Sequence, residues 1–101
     1  MENFIYIIRP TRADMLASGP TALEEELIEK HFLYLQDLTD QGVALLVGRT
    51  LNTDATAFGS VIFQAESLSN AKNIVEADPA VKEGVMGAEL FPYKIVMQSL
   101  T

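Results

Sequence analysis

His31 is the one histidine in a chain of 101 residues, and it stands in step with Leu27, Ile28, Phe32, Leu35 and Leu38. Residues at this spacing share one face of a helix. The imidazole is therefore aimed at whatever the apolar stripe packs upon. Two readings are open for it: a core histidine bonded to a backbone carbonyl, or a general acid or base in a pocket between helix and sheet. Imidazole titrates ordinarily near about 6.5, which suits proton transfer at neutral pH. Asp78 is followed by Pro79, a pairing that caps a following helical turn. The same carboxylate could orient an imidazole and stabilise its charged form. Arg9 and Arg49 each end an expected strand, and either could hold an anionic group by a two-pronged contact or remain a solvated charge. Tyr6, Tyr34 and Tyr93 are amphipathic packing residues by type; Tyr6 joins the candidate binding residues. Ser60 has no nucleophile motif around it.

The absences narrow the chemistry. Without cysteine there is neither a thiol nucleophile nor a disulfide framework. One histidine and no cysteine leave no zinc spacing, and neither a dinucleotide fingerprint nor a phosphate loop is present. The expectation is a site that needs no cofactor and no metal. Net charge is −7, from 7 basic and 14 acidic residues. That balance gives no footprint for nucleic acid and disfavours anionic membrane surfaces. No stretch approaches the roughly 18 apolar residues of a membrane span, and the amino terminus lacks the basic start of a signal peptide. A cytoplasmic location is expected.

These side chains must be held by regular elements. Residues 3–9 (NFIYIIR) read as a strand, and residues 10–20 as a loop. Thr21 reads as a helix cap with Glu24 completing a capping box. The spacing predicts a helix from Ala22 to Asp40, stopped by Gln41-Gly42. Residues 43–50 and 57–66 read as a hairpin around the polar turn 51–56. A shorter helix starts at a serine cap, Ser67 or Ser69, and runs to Ala77. Residues 80–84 add one more turn. A last strand is expected from Val85 to Gln98, with Pro92 placing it at an edge or a bulge. The order is β-α-β-β-α-β, a single ferredoxin-like α+β domain over residues 1–101 with both helices on one face of an antiparallel sheet.

The strands are apolar on both faces. Phe4, Tyr6 and Ile8 point one way, while Ile5 and Ile7 point the other. Val61 and Phe63 oppose Phe58 and Ile62. An antiparallel sheet with one wet face alternates apolar and polar residues instead. With helices on one side, the other side calls for a cover, and a second copy packed by two-fold symmetry supplies it. The expectation is a homodimer with a barrel-like interior.

Several short motifs then fall in a familiar order. They are FIYIIRP in the first strand, His31 in the first helix, Gln41-Gly42 with Leu45-Leu46 and Gly48, and Gly59-Ser60. Asp78-Pro79 with Val81 and Gly84-Val85 follows, and then Phe91-Pro92-Tyr93. In this set the chain resembles the YciI-like (YCII-related) family of the dimeric α+β-barrel superfamily. The resemblance implies a ferredoxin-like dimer and an active site with a His–Asp pair, which falls on His31 and Asp78. Superfamily relatives include muconolactone-isomerase-like enzymes and small monooxygenases. One departure stands out: many relatives carry Gly-Pro where this chain has Gly48-Arg49, which places a cation near the pocket mouth.

The resulting expectation is a small enzyme moving a proton on a small, anionic organic molecule by isomerisation or elimination. His31 is its base or acid and Asp78 orients it. Arg49, Arg9 and Tyr6 bind the substrate. The alternative is a non-catalytic dimeric module for ligand binding or interaction, in which His31 and Asp78 only tie helix to helix.

Overall fold

The capping box forms as its residues require. Thr21 Oγ1 accepts the Glu24 N–H at 3.2 Å, and a Glu24 carboxylate oxygen accepts the Thr21 N–H at 2.8 Å. From this start the longest helix runs from Ala22 to Asp40. Its end is equally local. Gly42 takes a φ of 75°, a left-handed conformation that costs glycine little. The Gly42 and Val43 amides then close back on the Thr39 and Leu38 carbonyls at 3.0 and 2.9 Å. Val43 lands on the core and turns the chain into the sheet.

A computed structural model describes residues 1–100. In chain order it contains β1 (Glu2–Pro10), α1 (Met15–Ser18), α2 (Ala22–Asp40), β2 (Ala44–Arg49) and β3 (Gly59–Ala65). There follow α3 (Leu68–Ala77), α4 (Pro79–Lys82) and β4 (Met86–Pro92). The four strands form one antiparallel sheet in the order β2-β3-β1-β4. This is the ferredoxin-like α+β arrangement, with the hairpin strand β3 beside the first strand at the centre.

Register explains the core. Tyr6 lies opposite Val61 and Phe4 opposite Phe63, so these four share the face under the helices. All four are buried, with Leu35, Leu38, Ala71 and Val75 packed on them from α2 and α3. Each large side chain contributes about 1.5–3 kcal/mol by leaving water. The opposite face carries Ile5 and Ile7 of β1 beside Ile62, Leu46 and Phe91 of the neighbouring strands. Leu46 is 64% exposed and Phe91 46%. The sheet is therefore apolar on both sides, with protein on only one.

Four elements differ from the sequence expectation. The segment 10–20 holds a helical turn, α1, whose Met15 is buried; apolar contact, not helix propensity, orders it. The last strand stops at Pro92 and does not reach Gln98. Proline has no N–H for the ladder, and the partner strand has nearly run out: one bond beyond it, Tyr93 N–H to Asn3 carbonyl at 2.9 Å, ends the pairing. The hairpin strands are shorter by a residue or two at each end, because Thr50 and Phe58 close the loop between them. Among the described residues, no helix is long and apolar enough to cross a membrane.

Candidate active site

Asp78 sits where α3 gives way to α4. The following proline forces it out of the helical region, and it adopts φ −62° and ψ 121°. Its backbone N–H still closes α3 on the Val75 carbonyl. Its side chain caps α4, with Oδ1 accepting the Ala80 N–H at 3.0 Å. The carboxylate is thereby turned inward, toward α2.

His31 meets it there. Nδ1 lies 2.8 Å from Oδ1 and 2.7 Å from Oδ2 of Asp78. The Tyr6 hydroxyl donates to Oδ2 at 2.9 Å from the sheet below. Asp78 is 0% exposed and His31 2%. A buried carboxylate is costly unless hydrogen-bonded, and this one is reached by three groups from three elements. A carboxylate only accepts, so Nδ1 carries the proton of this contact; in the neutral imidazole Nε2 then presents a lone pair. Burial first, and then the adjacent Asp78 charge, push the Tyr6 hydroxyl far above the usual phenol range. Tyr6 is thus fixed as a donor at ordinary pH.

Among the described residues Nε2 of His31 has no hydrogen-bond partner. It is not sealed either, since among the described residues no fully buried side-chain nitrogen or oxygen lacks a hydrogen bond. His31 is one of the residues lining a cavity of about 200 Å³. An apolar cavity of roughly 150 Å³ accepts benzene, so the space suits a one-ring molecule. The walls are mostly apolar: Ile8 from β1, Met15 and Leu16 from α1, Phe32 and Leu35 from α2, and Met86 from β4. At the hairpin side lie Val47, Arg49, Phe58 and Ser60. Among the described residues Arg49 makes no ion pair, and it is the one permanent cation in the lining.

The structure thus brings His31, Asp78 and Tyr6 together, and places Arg49 at the same cavity. It does not bring Arg9 there. Arg9 lies on the other face of the sheet, donating to Glu89 at 2.7 Å with its guanidinium 5.7 Å from the Phe58 ring centroid. The odd-numbered residues of β1 turn away from the helices, so a strand-end cation at position 9 cannot face His31. Tyr6 is not a cavity residue either. Its hydroxyl is consumed by Asp78, and it stands behind the pair. The phase was legible, since Tyr6 alternates with Phe4 and Ile8 on the buried face, where a phenol needs a partner. The cavity walls Met15 and Leu16 carried no such signal.

The arrangement supplies one base, one cation and an apolar slot. Among the described residues no three His, Asp or Glu side chains converge as a metal site would require. With a protonated Nδ1 held by Asp78, Nε2 can take a proton from a bound molecule, and the resulting positive charge rests against the carboxylate.

The family model of the YCII-related domain matches residues 4–94, which spans every element from β1 to β4. The chain belongs to the YCII-related domain family. No curated protein is similar enough to match it. Among solved structures, it is similar to the 5-chloro-2-hydroxyhydroquinone dehydrochlorinase (TftG) of Burkholderia phenoliruptrix AC1100, in complex with 2,5-dihydroxybenzoquinone. Identity is 22%, the TM-score is 0.65, and the match covers 90% of this chain and 93% of that one. The likeness at that identity is one of fold. Arg49, which follows Gly48 at the end of β2, is the source of the cavity's cation.

Proposed function

We propose that this YCII-related protein is a small acid–base enzyme acting on a one-ring, anionic organic molecule, by isomerisation or elimination. One observation carries the reading: His31, held through Nδ1 by the buried Asp78, lines an apolar cavity that has Arg49 in the same lining. Nε2 takes a proton from a carbon next to a carbonyl. The freed electron pair moves into the conjugated system, and then either a proton returns at another carbon or a leaving group departs with its electrons. Arg49 binds the anionic oxygen, and Asp78 fixes the tautomer and ring orientation. Neither route requires a redox partner. The dehydrochlorinase with which the chain shares its fold carries out an elimination by its name, which supports that branch.

The test uses 2,5-dihydroxybenzoquinone as a small planar probe, with binding read by its absorbance. The expected result is saturable binding that weakens at least about tenfold in Arg49→Ala, a loss of about 1.4 kcal/mol. His31→Ala is expected to bind the probe but no longer to catalyse exchange of an acidic C–H for deuterium in enolic ring compounds. Binding indifferent to Arg49→Ala, with exchange unchanged by His31→Ala, overturns the reading and leaves a tie between α2 and α4.

The reading includes a second copy of the chain against the open sheet face. Ile5, Ile7, Leu46, Ile62 and Phe91 form one apolar patch there, of the kind that marks an interface. Light scattering is expected to give twice the 11.1 kDa chain mass. Ile62→Lys, at the centre of the patch, is expected to return it to one chain. A wild type of single-chain mass at micromolar concentration overturns the dimer.

A further inference from the structure

Tyr6 is the residue whose position the reading above leaves without a task. It is fully buried on the central strand, 2.9 Å from Asp78 Oδ2, and it does not reach the cavity. Its ring is already fixed by packing, edge-on to Phe63 with centroids 5.7 Å apart. A phenylalanine would fill that place equally well. The hydroxyl therefore has a job that packing does not explain, and among the described residues its one partner is the carboxylate of the pair.

Three donors divide the carboxylate. The Ala80 amide holds Oδ1, Tyr6 holds Oδ2, and His31 Nδ1 spans both. The Ala80 amide alone leaves the carboxyl free to turn about the bond to its Cβ. A second donor, from a different element on the other oxygen, removes that freedom and keeps the carboxyl plane in line with the imidazole. A hydrogen bond to one oxygen also withdraws charge from the group as a whole, so the hold on the imidazole proton is weaker with Tyr6 than without it.

We propose that Tyr6 is the positioning residue of the His31–Asp78 pair: its hydroxyl fixes the Asp78 carboxylate and sets how strongly that carboxylate holds the Nδ1 proton of His31. The proposal rests on the acid–base reading of the pair, but its test needs no substrate. Tyr6 acts through Asp78 and touches no bound molecule. A lone pair on Nε2 is poised for exchange only if the proton on the other nitrogen is held firmly but not captured, and Tyr6 moderates that hold from the sheet.

Because His31 is the only histidine, its Nδ1 proton gives a single far-downfield resonance in the proton spectrum of the full chain. Tyr6→Phe removes the hydroxyl and keeps the ring; the resonance is expected to move further downfield as the carboxylate draws harder on the proton. Incorporation of 3-fluorotyrosine at position 6 alone makes the hydroxyl a stronger donor, and the resonance is expected to move upfield. Opposite displacements by absence and by strengthening are not produced by a packing role. The fluorinated protein retains the hydroxyl, so it decides the matter even if Tyr6→Phe fails to fold. Asp78→Asn is the reference and is expected to abolish the downfield resonance. If it does so while both changes at position 6 leave the resonance in place, the proposal for Tyr6 is overturned and the pair stands. If Asp78→Asn leaves the resonance untouched, the pair itself is overturned, and the proposal with it.

Discussion

Asp78 holds His31 from a helix-capping position, with both carboxylate oxygens within 2.8 Å of Nδ1 and one of them also on the Ala80 amide. Capping and orienting are thus not rival explanations of this residue. The cap fixes the backbone on which the carboxyl turns, and the turned carboxyl fixes the imidazole. α2 and α4 are joined through a polar contact in an otherwise apolar layer.

The two roles separate by substitution. Asn caps nearly as well as Asp, so Asp78→Asn keeps the α4 cap on its one acceptor oxygen and loses the charged contact to His31 together with the Tyr6 hydrogen bond, at a cost of at least about 1.5–3 kcal/mol. Asp78→Ala loses both and is expected to cost about 1 kcal/mol more. Urea denaturation of the two variants at pH 7 checks the difference. Equal losses would mean that the cap contributes nothing.

Glu24 joins the loop before α2 to the helix itself. The Arg12 guanidinium, donating to both its oxygens, is the main reason its carboxyl is held down at about 2, with the Thr21 amide second. A carboxyl lowered by folding stabilises the fold above its ordinary value of 4.5, and that support fades as pH falls toward about 2. Acid titration of stability is expected to show a slope in this window that Glu24→Gln lacks. High salt should reduce it, because the pair is near the surface.

Tyr34 gives the opposite window. Its hydroxyl donates to the Ile74 carbonyl at 2.6 Å, and burial, followed by the charges of Asp78 and Asp37, pushes it up to about 12. A group raised by folding stabilises fully below its ordinary value of 10.0 and loses that support as pH rises toward 12. Tyr34→Phe is expected to cost about 1 kcal/mol at neutral pH and to flatten alkaline unfolding between those values, as followed by circular dichroism.

Gly59 guards the cavity wall. A Cβ added there would lie 3.0 Å from Ile8 Cγ1 and 3.2 Å from Ile8 Cδ1. Ile8 lines the cavity, so Gly59→Ala must displace its side chain. A cost of about 1–3 kcal/mol is expected from overpacking, together with weaker binding of the quinone probe. Ile8→Val in the same chain should recover part of both, as read by thermal melting and absorbance titration.

The sequence by itself determined the elements whose causes are local. Thr21 with Glu24 started α2, Gly42 ended it, and Asp78-Pro79 broke the second helical region, because caps and turns are settled within a few residues of chain. Alternation in β1 and β3 likewise separated Tyr6 from Ile5 onto opposite faces, without saying which face the helices cover. The motif order was enough to suggest the family, and that resemblance implied the pairing of His31 with Asp78. What only the tertiary structure decided depends on contacts between distant segments. Arg9 and Arg49 look alike as strand-end cations, yet they lie on opposite faces, since register and strand phase, not residue type, choose the side. The helical turn at Met15–Ser18 exists because Met15 finds an apolar slot made by other elements. The end of β4 at Pro92 depends on where β1 begins. The task of Tyr6 emerged only when the sheet was laid under the helices, because a hydroxyl in an apolar phase declares a need for a partner but not which one. Here it is Asp78, 72 positions away in the chain.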